Sequence, residues 1–281
     1  MAEQTTFEGG HNQMISNPKA SQKPEKTPVV KILFLFGIIV FTFAAAGYVF
    51  YNWQTYTRHI ESTAVDLAES AVAFLPTADI KELEANDNDI GKPAYDELKR
   101  SLMKLKAANS NVQFAYLMKK NNNKIFFLVD SESLDSQDYS PPGQEFSEAS
   151  KTIMQPFLDG KNIVTEPLKD RWGTWVSVFV PVKDSQTDEI IAVFGMDYPA
   201  DTWNAEIGSL VLQNVVICLF LLLFLISTYI IYAKNLTLKS IGSSLASSEK
   251  LFKRVLSQAP IGISIVEDYS KVLLINQKFA E

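Results

Sequence analysis

Two stretches of this chain carry no charged side chain, and they constrain it more than any other feature: residues 32–51 (ILFLFGIIVFTFAAAGYVFY) and residues 210–233 (LVLQNVVICLFLLLFLISTYIIYA). An α-helix rises about 1.5 Å per residue, so about 20 apolar residues cross a hydrocarbon core about 30 Å thick. Both stretches meet that length, which excludes a freely soluble globular protein. No third stretch of this kind exists, which excludes a many-spanned transporter. The 47% hydrophobic content of the 281 residues conceals this concentration. The single cysteine, Cys218, lies in the second run, so neither an intrachain disulfide nor a cysteine zinc site is available. His11 and His59 stand in no metal-ligand spacing, and no metal is expected.

Charge orients the runs. Ahead of the first, Lys19, Lys23, Lys26 and Lys31 oppose three glutamates, net +1. After the second, seven basic residues oppose four acidic ones, net +3, and the 15 basic and 25 acidic residues between them leave −10. Basic residues flanking a span favour the cytoplasm. The expected organisation is a disordered cytoplasmic leader (1–31), a first transmembrane helix (32–51) and an extracytoplasmic domain (52–207). A second transmembrane helix (208–233), a linker helix (234–249) and a C-terminal piece (250–281) follow. The alternative for the first run is a cleaved signal peptide ending near Ala44-Ala45-Ala46. The long polar leader and the apolar residues continuing to Tyr51 favour an anchor. Gln213 and Asn214 in the second run admit two readings, interfacial placement or helix pairing in a dimer.

The outer domain reads as α+β. Apolar positions at Trp53, Tyr56, Ile60, Ala64, Leu67, Ala68, Ala71, Val72 and Leu75 recur every three or four residues, one face of a long helix that Pro76 stops. A second helix opens at Pro93, with Tyr95, Leu98, Leu102 and Leu105 as its stripe. Strands are expected at 112–118 and 124–129, a helix at 147–158 ended by Asp159-Gly160-Lys161, and longer strands at 174–182 and 190–197. The fold class is thus α+β and membrane-anchored, two transmembrane helices flanking an antiparallel sheet backed by a long N-terminal helix.

The last hairpin can be read side chain by side chain. One face of its first strand is Thr174, Val176, Val178, Val180 and Val182; the other is Trp175, Ser177 and Phe179. In its partner, Ile191, Val193, Gly195 and Asp197 share a face. A turn centred on Gln186 pairs Trp175 with Asp197, Ser177 with Gly195 and Phe179 with Val193. A slip of one residue would set the all-apolar face against the mixed one, whereas a slip of two preserves both faces. The apolar face is a core surface for the long helix. The mixed face holds a tryptophan, a carboxylate and two very small side chains, and so leaves room for a ligand bearing an amine or several hydroxyls. The competing reading has Asp197 cap the following segment or pair with a lysine.

Residues 172–203, WGTWVSVFVPV followed by VFGMDYPADTW, resemble the end of Cache-type, PAS-like extracytoplasmic sensor domains. The resemblance covers roughly residues 52–207. It implies a five- or six-stranded sheet with a ligand pocket on the face away from the long helix. The positions that fit are Tyr116, Trp175 and Asp197, with Asp130, Tyr139 and Arg171 on bordering segments. Residues 248–281 resemble the start of a cytoplasmic PAS domain. They offer a lead helix (Leu251, Phe252, Val255, Leu256), an A-P-I-G-I entry at Ala259–Ile263, strands at Ser264–Val266 and Val272–Ile275, then Asn276 and Phe279. A PAS fold needs about three times that length, so a longer parent is expected beyond Glu281.

The resemblance implies a homodimeric transmembrane sensor of a small molecule. Its output is ranked histidine kinase first, with a response regulator as partner, then diguanylate cyclase, then chemoreceptor. No nucleophile–base pair, Gly-rich phosphate loop or basic nucleic-acid patch stands in the chain, so neither a cofactor nor a nucleic-acid partner is expected. The rival class is a non-signalling, membrane-anchored protein whose outer domain binds another protein.

Overall fold

The computed structural model describes residues 27–267, 271–275 and 278. Residues 1–26 of the expected leader, His11 among them, and Asn276 and Phe279 lie outside the described residues. Helix α1 (Thr27–Phe74) runs through the first uncharged stretch and on through the amphipathic stripe. It stops one residue before Leu75-Pro76, because a proline disfavours helical backbone in the residue ahead of it. At about 72 Å, α1 is more than twice the length of a span. Short helices follow at α2 (Thr77–Glu82) and a 3-10 turn (Asp87–Asp89), then α3 (Pro93–Ala108), with proline in its first turn as expected.

The sheet is antiparallel throughout. Strands β1 (Phe114–Asn121) and β2 (Lys124–Asp130) form a hairpin across Asn122, whose φ of 53° suits a tight turn. The helix expected over 147–158 is instead two single turns, α4 (Lys151–Met154) and α5 (Pro156–Asp159). Pro156 is the reason, since it lacks the amide a continuous helix would need there. Gly160, at φ 68°, ends α5. Two-residue strands β3 (Ile163–Val164) and β4 (Leu168–Lys169) both pair with β5 (Thr174–Lys183), and β5 pairs with β6 (Ile190–Pro199). The order is β2-β1-β6-β5-β3, with β4 also on β5, six strands in all. Two residues are too few to show an alternation, which is why β3 and β4 were not legible.

The β5–β6 register differs from the expectation by two residues. Ser177 lies opposite Asp197, Trp175 opposite Pro199 and Phe179 opposite Gly195. A bulge between Val182 and Lys183 and a connection extending to Glu189 shift the pairing. The faces survive, because a two-residue shift is one full pleat period. Val176, Val178, Val180 and Val182 with Ala192, Phe194, Met196 and Tyr198 form a core against Ala64 and Ala68 of α1 and Leu98 and Leu102 of α3.

Helix α6 (Ala200–Gln258) begins where β6 ends and continues unbroken through the second uncharged stretch, the expected linker and the lead helix of the C-terminal piece. Strands β7 (Ser264–Glu267) and β8 (Lys271–Ile275) form an antiparallel hairpin beyond it. The chain divides into two compact units, residues 44–224 and the remainder. In the remainder, Phe34 and Tyr229 stack at 3.9 Å between centroids. Within residues 44–224, Asn214 is buried against α1. Its amide oxygen accepts from the Tyr48 hydroxyl at 3.3 Å, and its amide nitrogen donates to the Tyr56 hydroxyl at 3.1 Å and the Leu210 carbonyl at 3.0 Å. Gln213 is exposed. Asn214 therefore pairs the two helices of one chain, an arrangement neither sequence reading contained.

Candidate functional site

The sheet face turned away from α1 is built by alternate residues of β1, β2, β5 and β6. Tyr116, Met118, Ile125, Phe127, Phe179 and Val193 form its buried layer, covered by Phe146 and Ile153 from the segment after β2. The space expected beside Gly195 is occupied. The Tyr116 ring lies over that glycine so closely that a Cβ there would sit 2.3 Å from its Cε2. Tyr116 and Gly195 are opposite each other in the β1–β6 ladder, so a side chain at 195 would displace the ring. The ring also meets Phe127 edge-on at 5.4 Å.

This contact aims the Tyr116 hydroxyl at Asp197, to which it donates at 2.9 Å. Asp197 is 5% exposed, and among the described residues no basic side chain pairs with it. Neither a cap on the following residues nor a lysine pair accounts for it. Burial raises its pKa to about 7, and the nearby Asp170 carboxylate adds to the rise; hydrogen bonds from Ser177 and Tyr116 offset only part of it. Burial and the Asp197 carboxylate push the Tyr116 phenol well above its usual value, so it stays a donor.

A cavity of about 20 Å³ adjoins the pair, lined by Phe114, Tyr116, Phe127, Phe146 and Trp172 with Asp130, Asp138, Asp170 and Asp197. That volume holds about one water molecule. Trp172 meets Phe127 at 5.8 Å, edge to face. Asp170 is held rigidly: its Oδ1 accepts from the amides of Trp172 (2.8 Å) and Gly173 (2.9 Å) and from Trp175 Nε1 (3.0 Å). Aromatic faces and carboxylates with no basic side chain among the lining residues favour a cation over an anion.

The sequence-chosen residues divide among three places. Tyr116 and Asp197 form the centre. Trp175 lies to one side, its indole spent on Asp170 and packed edge-on against Phe114 at 5.1 Å. Asp130 lines the cavity, but its charge is answered by Lys99 Nζ at 2.9 Å and the Ser140 amide at 2.7 Å. Burial nevertheless holds the Asp130 carboxyl above its usual range. Tyr139 lies beneath that lysine, 4.5 Å from ring centroid to Nζ, and shares a 2.9 Å hydrogen bond with Tyr95. Arg171 turns outward to Glu148 at 2.7 Å and Ser147 at 2.8 Å, holding the Glu148 carboxyl down at about 2. Phe127, Phe146, Asp170 and Trp172 were missed. Trp172 and Asp170 were within reach, since Trp172 opens the W-G-x-W string and Asp170 lies two residues ahead of it. Phe146 comes from a loop whose path only the tertiary structure defines.

That loop, residues 131–150, closes the cavity. It is pinned along β2 by Gly143 N to Phe127 O, Phe127 N to Gln144 O and Phe146 N to Ile125 O, each 2.9 Å. Gly143 is required there: its φ is 87°, and a Cβ would lie 2.9 Å from the Ala85 carbonyl oxygen.

No protein-family model matches the chain, and no curated protein matches it. Solved structures similar in fold include the ligand-binding domain of the Campylobacter jejuni chemoreceptor Tlp3 in complex with 4-methylisoleucine. It is 14% identical, over 59% of this chain and 61% of that one, with a TM-score of 0.42. The sensory domain of the same receptor aligns at 14% identity over 62% of this chain and 66% of that one, TM-score 0.44. The extracellular domain of a protein described as a histidine kinase aligns at 15% identity over 52% and 57%, TM-score 0.31. The chain thus spans less than two thirds of the length of these two chemoreceptor domains. These are partial likenesses of chain path, and the functional reading rests on the site itself.

Proposed function

We propose that residues 52–207 are an extracytoplasmic sensor domain that binds a small amine-bearing molecule at Asp197 and passes the event inward through α6. The observation that carries this reading is a buried carboxylate without a basic partner among the described residues, set among aromatic rings in a domain whose first and last elements are the two long apolar helices. An ammonium group supplies the donors and the charge that Asp197 lacks, and the rings of Phe127 and Trp172 receive it on their π faces. A ligand larger than water enters by lifting residues 131–150 from β2. Binding energy is thereby coupled to a change in the segment that bridges the sheet and α3.

The relay is supported by continuity: Asp197 is three residues from the first residue of α6, and Asn214 ties α6 to α1 at the edge of the spans. The C-terminal hairpin fits the start of a cytoplasmic PAS domain, and the proposed output is a histidine kinase acting on a response regulator in a homodimer. Diguanylate cyclase and chemoreceptor outputs remain the ranked alternatives.

The test is calorimetric titration of the full chain in detergent with a panel of primary amines, amino acids and polyols, beside Asp197→Asn. An amine that binds the wild type and loses at least tenfold in affinity to the variant supports the reading. Binding of no amine, or binding indifferent to Asp197→Asn, overturns it. Because the proton on Asp197 must leave before an ammonium binds, affinity is expected to fall about tenfold per pH unit below 7.

A further inference from the structure

A second cavity lies on the opposite side of the domain, where α1 and the start of α6 approach the spans. It is a groove of about 620 Å³ between Trp53–Glu61 of α1 and Trp203–Val211 of α6, floored by Val164–Pro167. Trp53 is two residues past the end of the first uncharged run, and Val211 lies just inside the second. The groove therefore sits at the level of the lipid headgroups, on the reading of the two helices as spans that the proposed function also uses.

Most of its polar side chains are unspent, although the Thr165 hydroxyl accepts from the Ser177 amide at 3.0 Å. Gln54, Arg58, Glu61, Glu166 and Asn204 all line it, and none forms a side-chain hydrogen bond or ion pair among the described residues. The Thr57 hydroxyl, also in the lining, is buried and has no partner. Glu61 feels both of its charged neighbours: burial raises its pKa first, the Glu166 carboxylate raises it further, and Arg58 lowers it. The apolar side is open towards the membrane. Trp53 is 48% exposed, and a Cβ built on Gly208 meets nothing within 4 Å.

One guanidinium, two facing carboxylates and an apolar exit form a zwitterion site with a greasy side. We propose that this groove binds the phosphoethanolamine headgroup of a membrane lipid, its phosphate on Arg58 and its primary ammonium between Glu61 and Glu166. The acyl chains would leave past Trp53 and Val211 along the spans. A purely anionic headgroup would set its phosphate against two carboxylates with nothing to offset them. A choline headgroup brings the positive charge but has no N–H to donate to either oxygen. A lipid seated there touches both helices that enter the membrane, so it would bias their relative position independently of Asp197.

The experiment reconstitutes the full chain in nanodiscs of phosphatidylcholine doped with equal fractions of phosphatidylethanolamine and phosphatidylglycerol, and counts retained lipids by native mass spectrometry. Phosphatidylethanolamine is expected to be retained about tenfold over either competitor. Glu61→Gln with Glu166→Gln should bring it to the choline level, and Gly208→Leu, which fills the groove without touching a charge, should do the same. Equal retention of the three lipids, or an ethanolamine preference untouched by both variants, overturns the proposal. Displacement of the lipid by millimolar free phosphoethanolamine would assign the site to a soluble ligand and overturn the lipid source. A chain that fails to enter nanodiscs overturns the span reading and this site with it. Lipid retention without amine binding at Asp197 overturns only the proposed sensing site.

Discussion

The two faces of the β5–β6 hairpin, one pleat apart, are built on different physics. Under α1 and α3 the sheet presents Val176, Val178, Val180, Phe194 and Met196, all buried, and nothing there needs a partner except the Tyr198 hydroxyl, which finds none. Across the same strands Asp197, Ser177 and Gly195 take the place of aliphatics, and their packing depends on a single ring, Tyr116. Burial of hydrocarbon is non-directional and tolerates approximate complementarity. A buried carboxylate tolerates none, so it either meets a matched group or keeps its proton. The helix side therefore holds the domain together, and the other side is where, on the proposed function, a cation would change the energy most.

The sharpest way to break that comparison is to damage each face and read stability against pH. Phe194→Ala should destabilise the domain by about 3–5 kcal/mol, by the same amount at pH 5 and pH 8, with amine affinity per folded molecule unchanged. Lys99→Met, at the rim of the ligand side, should cost a comparable amount at pH 8 by leaving Asp130 buried and unpaired. The loss should shrink on acidification, as Asp130 takes a proton. Denaturant titration at several pH values reads both.

Asp197→Asn should act with the opposite sign. Unfolded, the carboxyl titrates near 4; folded, near 7, so the folded state binds the proton more tightly. Its contribution is present in full below about pH 4 and lost as pH rises through 7. The variant should therefore gain stability of the order of 4 kcal/mol at pH 8 and almost none at pH 4. A wild type equally stable at both ends of that window would remove the case for a buried, protonated Asp197.

Gly195→Ala should cost about 1–3 kcal/mol by pushing the Tyr116 ring off its seat, and should weaken amine binding with it. The smallest effect belongs to the helix side. Tyr198→Phe removes a buried hydroxyl without a partner and should raise stability by up to about 1 kcal/mol, leaving amine binding unchanged. Loss of amine binding in that variant would mean the two faces are not separable.

How much was legible follows from the range of each signal. The stripe from Ile60 to Leu75, the proline opening α3 and the alternation of β5 and β6 are local, and each appears where it was expected. Tyr116 and Asp197 were chosen from different strands, and they meet at 2.9 Å. The register was misplaced by two because neither the bulge near Val182 nor the connection reaching to Glu189 leaves a mark on the pattern of faces. The room expected beside Gly195 was misjudged for a related reason. A small residue marks a close approach, and the identity of what approaches depends on the neighbouring strand.

The sequence by itself determined that two uncharged helices bracket an acidic α+β domain, and which side of its last hairpin would be buried by aliphatics. Those properties follow from hydrophobic length and period, which are sums along the chain. Only the tertiary structure decided that Lys99 answers Asp130 while no base among the described residues answers Asp197, that Arg171 turns away to Glu148, and that Asn214 joins the two helices of one chain. Charge pairing is decided over a few ångströms, and residues 31, 23 and 166 positions apart reach that distance only when the sheet and helices have assembled.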